Sequence, residues 1–332
     1  MATRGRSLAG TVMDLRQLRY FSSVVELGSF SRAAKHLRVA QPALSQHVRH
    51  MEDELGVALL HRTAHGVLPT EAGERLLRHA KTILAEFAEI ADSVRGQNTA
   101  PRGDVRFGLP GTVSEILAVP LIEEARARYP GVRIRIVEAM SGYILEWLRR
   151  GDVDLAIIYR ASDPAGLVAH HGLSEEICLF GLPSIGRVPV AAGGDVPLAQ
   201  AAALDLILPG LSHGLRDLIE QAAQSIQVPI NATIEIDSYG QIKRLAQRGL
   251  GYGMLPRMAV QREAAAGIFS TWRLVGPEII RKVYLAYSLE RPLPGAVRAV
   301  GQLSWDILRR LVREDAWTAQ LTDESHRPQL YP

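Results

Sequence analysis

Apolar residues recur along this chain with two different periods. From about 14 to 95 they return every three or four residues, which marks helix faces. From about 105 onward, apolar runs of some six residues alternate with helical stretches. In the first region, Leu15, Leu18, Phe21 (or Tyr20), Val24 and Val25 share a face of a helix that starts at Asp14 and stops at Leu27-Gly28. The stretch 29–55, SFSRAAKHLRVAQPALSQHVRHMEDEL, then encodes two short amphipathic helices. The first, about 30–38, carries Ala33-Ala34 and Leu37, with Ser29 or Ser31 available as its cap. After a break at Val39-Ala40-Gln41, Pro42 opens the second, where a missing N–H costs nothing. Its apolar positions Leu44, Val48, Met51 and Leu55 are spaced 4, 3 and 4 apart, and its opposite face carries Gln41, Ser45, Gln46 and Arg49.

VALLHRTAHGVLPT (57–70) suits two short strands around Ala64-His65-Gly66. Thr70, Glu71 and Glu74 then open a long helix reaching about 95, with a capping residue and acidic first turn at its positive end. Leu76, Ala80, Ile83, Phe87, Ile90 and Val94 are spaced 4, 3, 4, 3 and 4, a heptad seam flanked by Arg75, Arg78, Lys81, Glu86 and Glu89. So narrow a seam favours a partner helix over packing within its own domain. Residues 96–103 read as a flexible linker.

Beyond it, strands at 105–110, 132–138 and 154–159 alternate with helices at 114–129 and 141–150. After the Gly/Pro-rich stretch 181–197 the alternation resumes, with strands at 204–209, 233–237 and 251–256 and helices at 213–225 and 239–248. A strand at 281–289 and a helix at 295–313 close the series. Strands alternating with helices imply parallel sheets, here in two halves, 103–180 and 181–280, with 281–289 able to return the chain to the first half. A ligand belongs in the cleft, at the C-terminal ends of strands.

Composition narrows the picture. The chain has 332 residues, enough for two or three domains, 47% hydrophobic and 22% charged. A net charge of +3 excludes a polycation, so a nucleic-acid surface has to be local; residues 1–62 hold nine Lys and Arg against five Asp and Glu. The single cysteine, Cys178, rules out an intrachain disulfide or a cysteine-cluster metal site and suits a reducing compartment. Residues 1–13 read as a disordered leader without the apolar run of a signal peptide, and no apolar stretch approaches the roughly 18–20 residues of a membrane span. A cytoplasmic protein with no membrane partner is expected.

The paired helices suit a helix-turn-helix, with the second helix in the major groove of double-stranded DNA; an ordinary helical hairpin is the alternative. Gln pairs with adenine edges, Arg with guanine and Ser with either. The hairpin at 57–70, with Arg62 and His65 near its tip, would be a wing against phosphate or in the minor groove. His61 and His65 lack a third ligand, so no metal is expected. In the second region, helix N-termini follow strands at Pro110-Gly111-Thr112-Val113-Ser114, at Ser141, at Leu211-Ser212-His213 with Arg216 a turn on, and at Asp237-Ser238. Exposed N–H groups there favour an anion such as an organic acid, although some of these residues are simply caps. No cofactor is expected beyond a small-molecule effector.

The 14–77 stretch, DLRQLRYFSSVVELGSFSRAAKHLRVAQPALSQHVRHMEDELGVALLHRTAHGVLPTEAGERLL, resembles the DNA-binding signature of the LysR-type transcriptional regulators, and the resemblance extends over about 14–315. GLGYGMLP (249–256) is similar to an element of that family's effector domain. GLPGTVSEILAVPL and SGYILEWLRRGDVDLAIIY look most like its nitrogen-assimilation-control subgroup. The resemblance implies an α+β multidomain protein with an N-terminal winged helix-turn-helix, a dimerising linker helix and a two-lobed α/β effector domain of periplasmic-binding-protein type. It also implies a tetramer built as a dimer of dimers, whose effector reorients the DNA-binding pairs and changes promoter bending. RNA polymerase is a further possible partner.

Carried over by position, Gln41, Pro42, Ser45 and Gln46 match base-contacting residues; Ser31, Arg62 and Thr70 match phosphate contacts; Thr112 and Ser114 match the first effector loop. Arg32, Arg49, Thr63 and His65 complete the expected DNA-facing set. Leu60 stands where the family usually has Phe. The peroxide-sensing branch needs two reactive cysteines, and this chain has one. The domains expected are a leader (1–13), a DNA-binding domain (14–70), a linker helix and hinge (71–102), an effector domain (103–315) and a tail (316–332). Within the effector domain, lobe I would be 103–180 plus 281–315, and lobe II 181–280. A solute-binding protein would explain 103–290 but not the first hundred residues. An enzyme lacks support in any Gly-x-Ser-x-Gly elbow or Walker loop.

Overall fold

The computed structural model describes residues 13–63, 66–94, 100–160, 166–185, 188, 191–291, 293–323, 328 and 330. It comprises two compact units, 1–99 and 100–332, treated separately below. Most of the expected leader, the expected wing residue His65 and positions 96–99 of the expected hinge lie outside the described residues.

The first unit contains α1 (Leu15–Leu27), α2 (Phe30–Leu37), α3 (Gln41–Leu55), the hairpin β1 (Leu60–Thr63) and β2 (Gly66–Pro69), and α4 (Glu71–Val94). Asp14 and Gln17 cap α1 reciprocally, and Gly28 ends it in the left-handed conformation that favours glycine. Ser29 is the residue that caps α2, its side chain accepting from the Arg32 N–H. Pro42 lies in the first turn of α3. Leu44, Val48 and Met51 meet Phe21, Val24, Phe30, Ala33 and Leu60 in one core, so Leu60 fills its place under the wing. Glu52 Oε1 accepts from the backbone N–H groups of Leu59 and Leu60 and fixes where the wing begins. The start of α4 packs on the Leu59 carbonyl so closely at Gly73 that a Cβ there would lie 2.0 Å from it.

The second unit begins with β3 (Arg102–Leu109), α5 (Gly111–Arg128), β4 (Gly131–Glu138), α6 (Ser141–Arg150), β5 (Leu155–Ile158) and β6 (Leu167–Gly181). It continues with β7 (Asp195–Pro197), α7 (Leu198–Ala202), β8 (Leu206–Leu208), α8 (Gly214–Ser225), β9 (Ala232–Glu235) and α9 (Tyr239–Gln247). Next come β10 (Tyr252–Pro256), α10 (Arg257–Ala265), β11 (Ser270–Val275), β12 (Ile280–Ser288), α11 (Gly295–Arg313) and β13 (Gln320–Leu321). In lobe I the parallel strands β4, β3 and β5 are followed by antiparallel β12 and β6. In lobe II antiparallel β6 borders the parallel strands β10, β8 and β9, while β11 pairs with β6 and β7.

The 15-residue β6 belongs to both sheets. Leu173 packs in the core of lobe I, whereas Ile177, Leu179 and Phe180 pack in that of lobe II, together with Ile279. The lobe boundary therefore lies inside β6 near Glu176 and not at 181. Residues expected as a tail complete lobe I: Trp317 and Leu330 are buried in its core, and β13 adds to the β6 edge.

Candidate functional site

On the first unit, α3 presents Gln41, Pro42, Gln46 and Arg49 to solvent, and Ser31, Arg32 and Thr63 are exposed beside them. The Ser31 hydroxyl hydrogen-bonds Gln41 Oε1 at 2.9 Å, tying α2 to the first turn of α3. Ser45 is different: it is only 8% exposed. Its Oγ accepts from Arg62 Nη2 at 3.3 Å and lies 3.5 Å from Arg49 Nη2. Arg62 also stacks over the Phe30 ring, 4.9 Å from its centroid. Ser45 thus positions the wing arginine against the helix and does not itself stand out from the surface. Thr70 is similarly engaged. Its hydroxyl donates to the Ala58 carbonyl and accepts from the Gly73 N–H. His47 packs edge-on to Tyr20, and His50 faces Glu54 at 3.3 Å.

In the second unit, the C-terminal ends of β3, β4, β8 and β9 lead into the N-termini of α5, α6, α8 and α9. All four helices border the cleft between the lobes. One cavity of about 470 Å³ is lined by Pro110, Gly111, Ser114, Ser141, His213, Asp237 and Ser238. A second of about 670 Å³ shares Met140, Ser141 and Tyr159 with it and adds Leu211, Ser212, Arg281 and Lys282. The lobes meet tightly between the cavities. A Cβ on Gly214 would lie 3.2 Å from Ser141 Oγ, and one on Gly111 3.7 Å from the Tyr239 ring.

Capping separates the four helix starts. Ser238 and His213 are caps, accepting from the N–H groups of Gln241 and Leu215, whereas α5 and α6 begin without a side-chain cap. Burial holds the His213 imidazole below the ordinary histidine value and outweighs the opposing influence of Asp237. Its Nδ1 accepts the cap bond, so the neutral ring carries its proton on Nε2.

Three expected cleft residues lie elsewhere. Val113 is in the core of lobe I. Thr112 is buried, its hydroxyl 3.0 Å from the Tyr159 hydroxyl and accepting from Arg281 Nη2. Arg216 lines neither cavity, because its donors are consumed by the Pro209 carbonyl, Glu220 and Glu235. It braces the ends of β8 and β9 against α8.

Arg160, Arg281 and Lys282 line the larger cavity, and of these Arg281 on β12 is the buried one. Its side chain is 2% exposed, bonded to Glu175 through Nε at 2.8 Å and Nη2 at 2.6 Å, and it lies over the Tyr159 ring at 3.9 Å. Trp317 Nε1 donates to the other Glu175 oxygen at 3.0 Å. Burial alone would lower the guanidinium, but Glu175 and the phenols of Tyr159 and Tyr239 raise it on balance. Burial raises both phenols against the pull of Arg281, so these two protons stay in place at neutral pH. The charges that open the run 281–289, and the Glu175-Glu176 pair just before the apolar run around Cys178, were the available sequence signals for this pair.

Comparisons with known proteins supply the family. The model described as LysR substrate binding domain matches residues 98–308, and that for the bacterial regulatory helix-turn-helix protein, lysR family, matches 15–74. The chain belongs to the LysR family. This regulator is 31% identical over 301 residues to a nitrogen assimilation regulatory protein of Klebsiella aerogenes, covering 90% of this chain and 96% of the relative. It is 28% identical to the dual regulator OxyR of Escherichia coli over 85% of this chain and 91% of that protein. Among solved structures, full-length OxyR from Pseudomonas aeruginosa is similar, with a TM-score of 0.67 and 26% identity, covering 90% of this chain and 95% of that one. These relatives are transcriptional regulators, and this LysR-family chain is likewise a DNA-binding transcriptional regulator with an effector-binding domain. Several relatives are described as hydrogen peroxide-inducible activators. Here the lone Cys178 is buried in the core of lobe II, and burial pushes its thiol up to about 12, which withholds the thiolate that peroxide chemistry requires.

Proposed function

We propose that this regulator reads promoter DNA through α3 and the wing, and that an anionic small molecule bound between the lobes sets how it grips and bends that DNA. No cofactor is required. The chain works as a dimer through α4, with two dimers forming a tetramer, in the cytoplasm, where its DNA target and RNA polymerase lie. The observation that carries this reading is the pairing of two surfaces in one chain. On one, Gln41, Gln46 and Arg49 stand exposed beside an Arg62 held in place by Ser45 and Phe30. On the other, α5 and α6 open onto the cleft without side-chain caps, and a helix start left so favours an anion. The exposed apolar residues Ile83, Phe87 and Ile90 along α4 support the dimer.

Footprinting the purified full chain on the DNA upstream of its own gene tests the reading. Protection of two or more half-sites, spaced by whole helical turns of about 34–36 Å, is the expected result. Protection of one isolated half-site would remove the multimer, and no protection at low salt by a folded dimer would remove the promoter-reading function.

A further inference from the structure

The smaller compartment of the cleft has a charge pattern that narrows the effector. The inference rests on the cleft being the effector site, and it gives the anionic group of that reading a cationic neighbour. Three carboxylates, Glu115, Glu138 and Asp237, line this cavity of about 470 Å³, and among the described residues no lysine or arginine does. Glu115 faces Lys243 at 3.7 Å, and Asp237 uses Oδ1 to accept from the Gly210 N–H. Glu138 has no hydrogen-bond or ion-pair partner among the described residues. Its Oε1 stands at the start of α5, 3.3 Å from where a Cβ on Gly111 would lie. A ligand carrying negative charge alone would meet like charge here.

Acidic walls by themselves identify no ligand, and His213 supplies the independent observation. It is only 4% exposed, and its Nδ1 accepts from the Leu215 N–H, so the proton sits on Nε2. Nε2 makes no hydrogen bond among the described residues. It is not sealed into the core either, since the wholly enclosed side-chain atoms without a partner belong to Ser22, Arg281, Arg298 and Trp305. The surface Nε2 keeps therefore opens onto the cavity that His213 lines. The ring is fixed at Nδ1 and by its edge contact with Tyr239, at 5.4 Å between centroids. A buried donor held in this way calls for an acceptor. Ser141 offers a second donor nearby. Its Oγ has no partner among the described residues, lies 3.2 Å from where a Cβ on Gly214 would be, and belongs to the uncapped start of α6. Asp237 is close enough to act electrostatically on the His213 ring, so donors and carboxylates stand side by side. Neutral donors beside unpaired carboxylates match a carboxylate that brings its own ammonium. The volume falls within the range of about 300–1,000 Å³ usual for small-molecule sites.

We propose that the smaller compartment binds an α-amino acid. Its carboxylate accepts from His213 Nε2 and Ser141, and its ammonium faces Glu138 and Asp237. Glu138 and Ser141 belong to lobe I and His213 and Asp237 to lobe II, so both lobes hold the ligand. A thermal-shift screen of the full-length protein with the twenty standard L-amino acids, followed by calorimetric titration of the one that stabilises it most, tests this. At least one is expected to bind. Its 2-hydroxy acid, which lacks the ammonium, and its decarboxylated amine, which lacks the carboxylate, should each bind at least about tenfold more weakly. Glu138→Gln, at an exposed position, should weaken the amino acid about tenfold and narrow the gap to the 2-hydroxy acid. His213→Asn keeps an acceptor for the cap and withdraws the Nε2 donor, and should also weaken the amino acid about tenfold.

Equal affinity for the 2-hydroxy acid, or amino-acid binding indifferent to both variants, would overturn the proposal. No amino-acid binding by protein that still protects its operator would overturn it too, and would leave the regulator reading standing. Amino-acid binding with these variant effects, by protein that protects no operator, would support it while removing that reading.

Discussion

Arg62 is held twice before any DNA arrives, by the Phe30 ring beneath it and by Ser45 Oγ beside it. A guanidinium fixed in this way loses little side-chain freedom on meeting a phosphate. Arg62→Ala is therefore expected to weaken binding to every sequence and to lower the salt dependence by about one counterion. Gln46, exposed on the same helix, should behave oppositely. Gln46→Ala is expected to relax base preference by about 1–3 kcal/mol of discrimination while sparing non-specific binding. Titrations on matched and mismatched duplexes over a salt series separate the two; a uniform loss in the Gln46 variant would remove it as a base reader.

His213 carries a prediction about acid. Burial lowers both His213 and His170 below the ordinary histidine value. Around His213, Asp237 opposes the shift and Arg281 adds to it. Above about pH 6.5 the rings are neutral in folded and unfolded chains alike, so they contribute no pH dependence. As pH falls through that value, the unfolded chain takes up protons that the folded chain refuses, and stability is lost. Protonation of His213 would also break its cap bond to the Leu215 N–H. The melting temperature is expected to drop on acidification below about pH 6.5, and His213→Asn, which retains a capping acceptor, should recover part of the loss. A melting temperature indifferent to pH in that range would contradict the assignment.

Among the elements, α4 has the least finished surface. Leu76 and Ala80 pack into the core of the first unit, but Phe87 is 56% and Ile90 60% exposed. Full cover for such a side chain is worth about 1.5–3 kcal/mol. Phe87→Asp is expected to break the α4 pairing and reduce the tetramer to a smaller species in sedimentation velocity, and an unchanged sedimentation coefficient would place the interface elsewhere. The heptad spacing made this seam legible, as the alternation of apolar and polar positions did for α1 to α3 and most strands of the effector domain. The strand β6 was not legible. It serves two cores in turn, and Gly172, Ser174, Glu175 and Glu176 interrupt its apolar pattern where it passes between them. Missing it hid Glu175, and with it the partner of Arg281. Arg216 misled for a related reason. Its place after a helix start suggested a ligand, but helical phase turned it toward Glu220 and Glu235 instead.

At the scale of the whole molecule, the DNA-reading half was the more legible, because its chemistry sits on contiguous helical faces. The cleft gathers residues from 110 to 282 through sheet topology that spacing alone does not reveal. That topology, in which β6 leaves lobe I and β12 returns to it, also sets a timetable for synthesis. As the chain leaves the ribosome the winged domain is complete first, and nearly all the strands and helices of lobe II have emerged before lobe I can close. Lobe I must wait for β12, α11 and Trp317, with its first three strands holding an open edge in the meantime. A premature stop after 280 would therefore release a protein able to grip DNA with half its sensor unsealed, an unregulated fragment and a ready substrate for proteolysis.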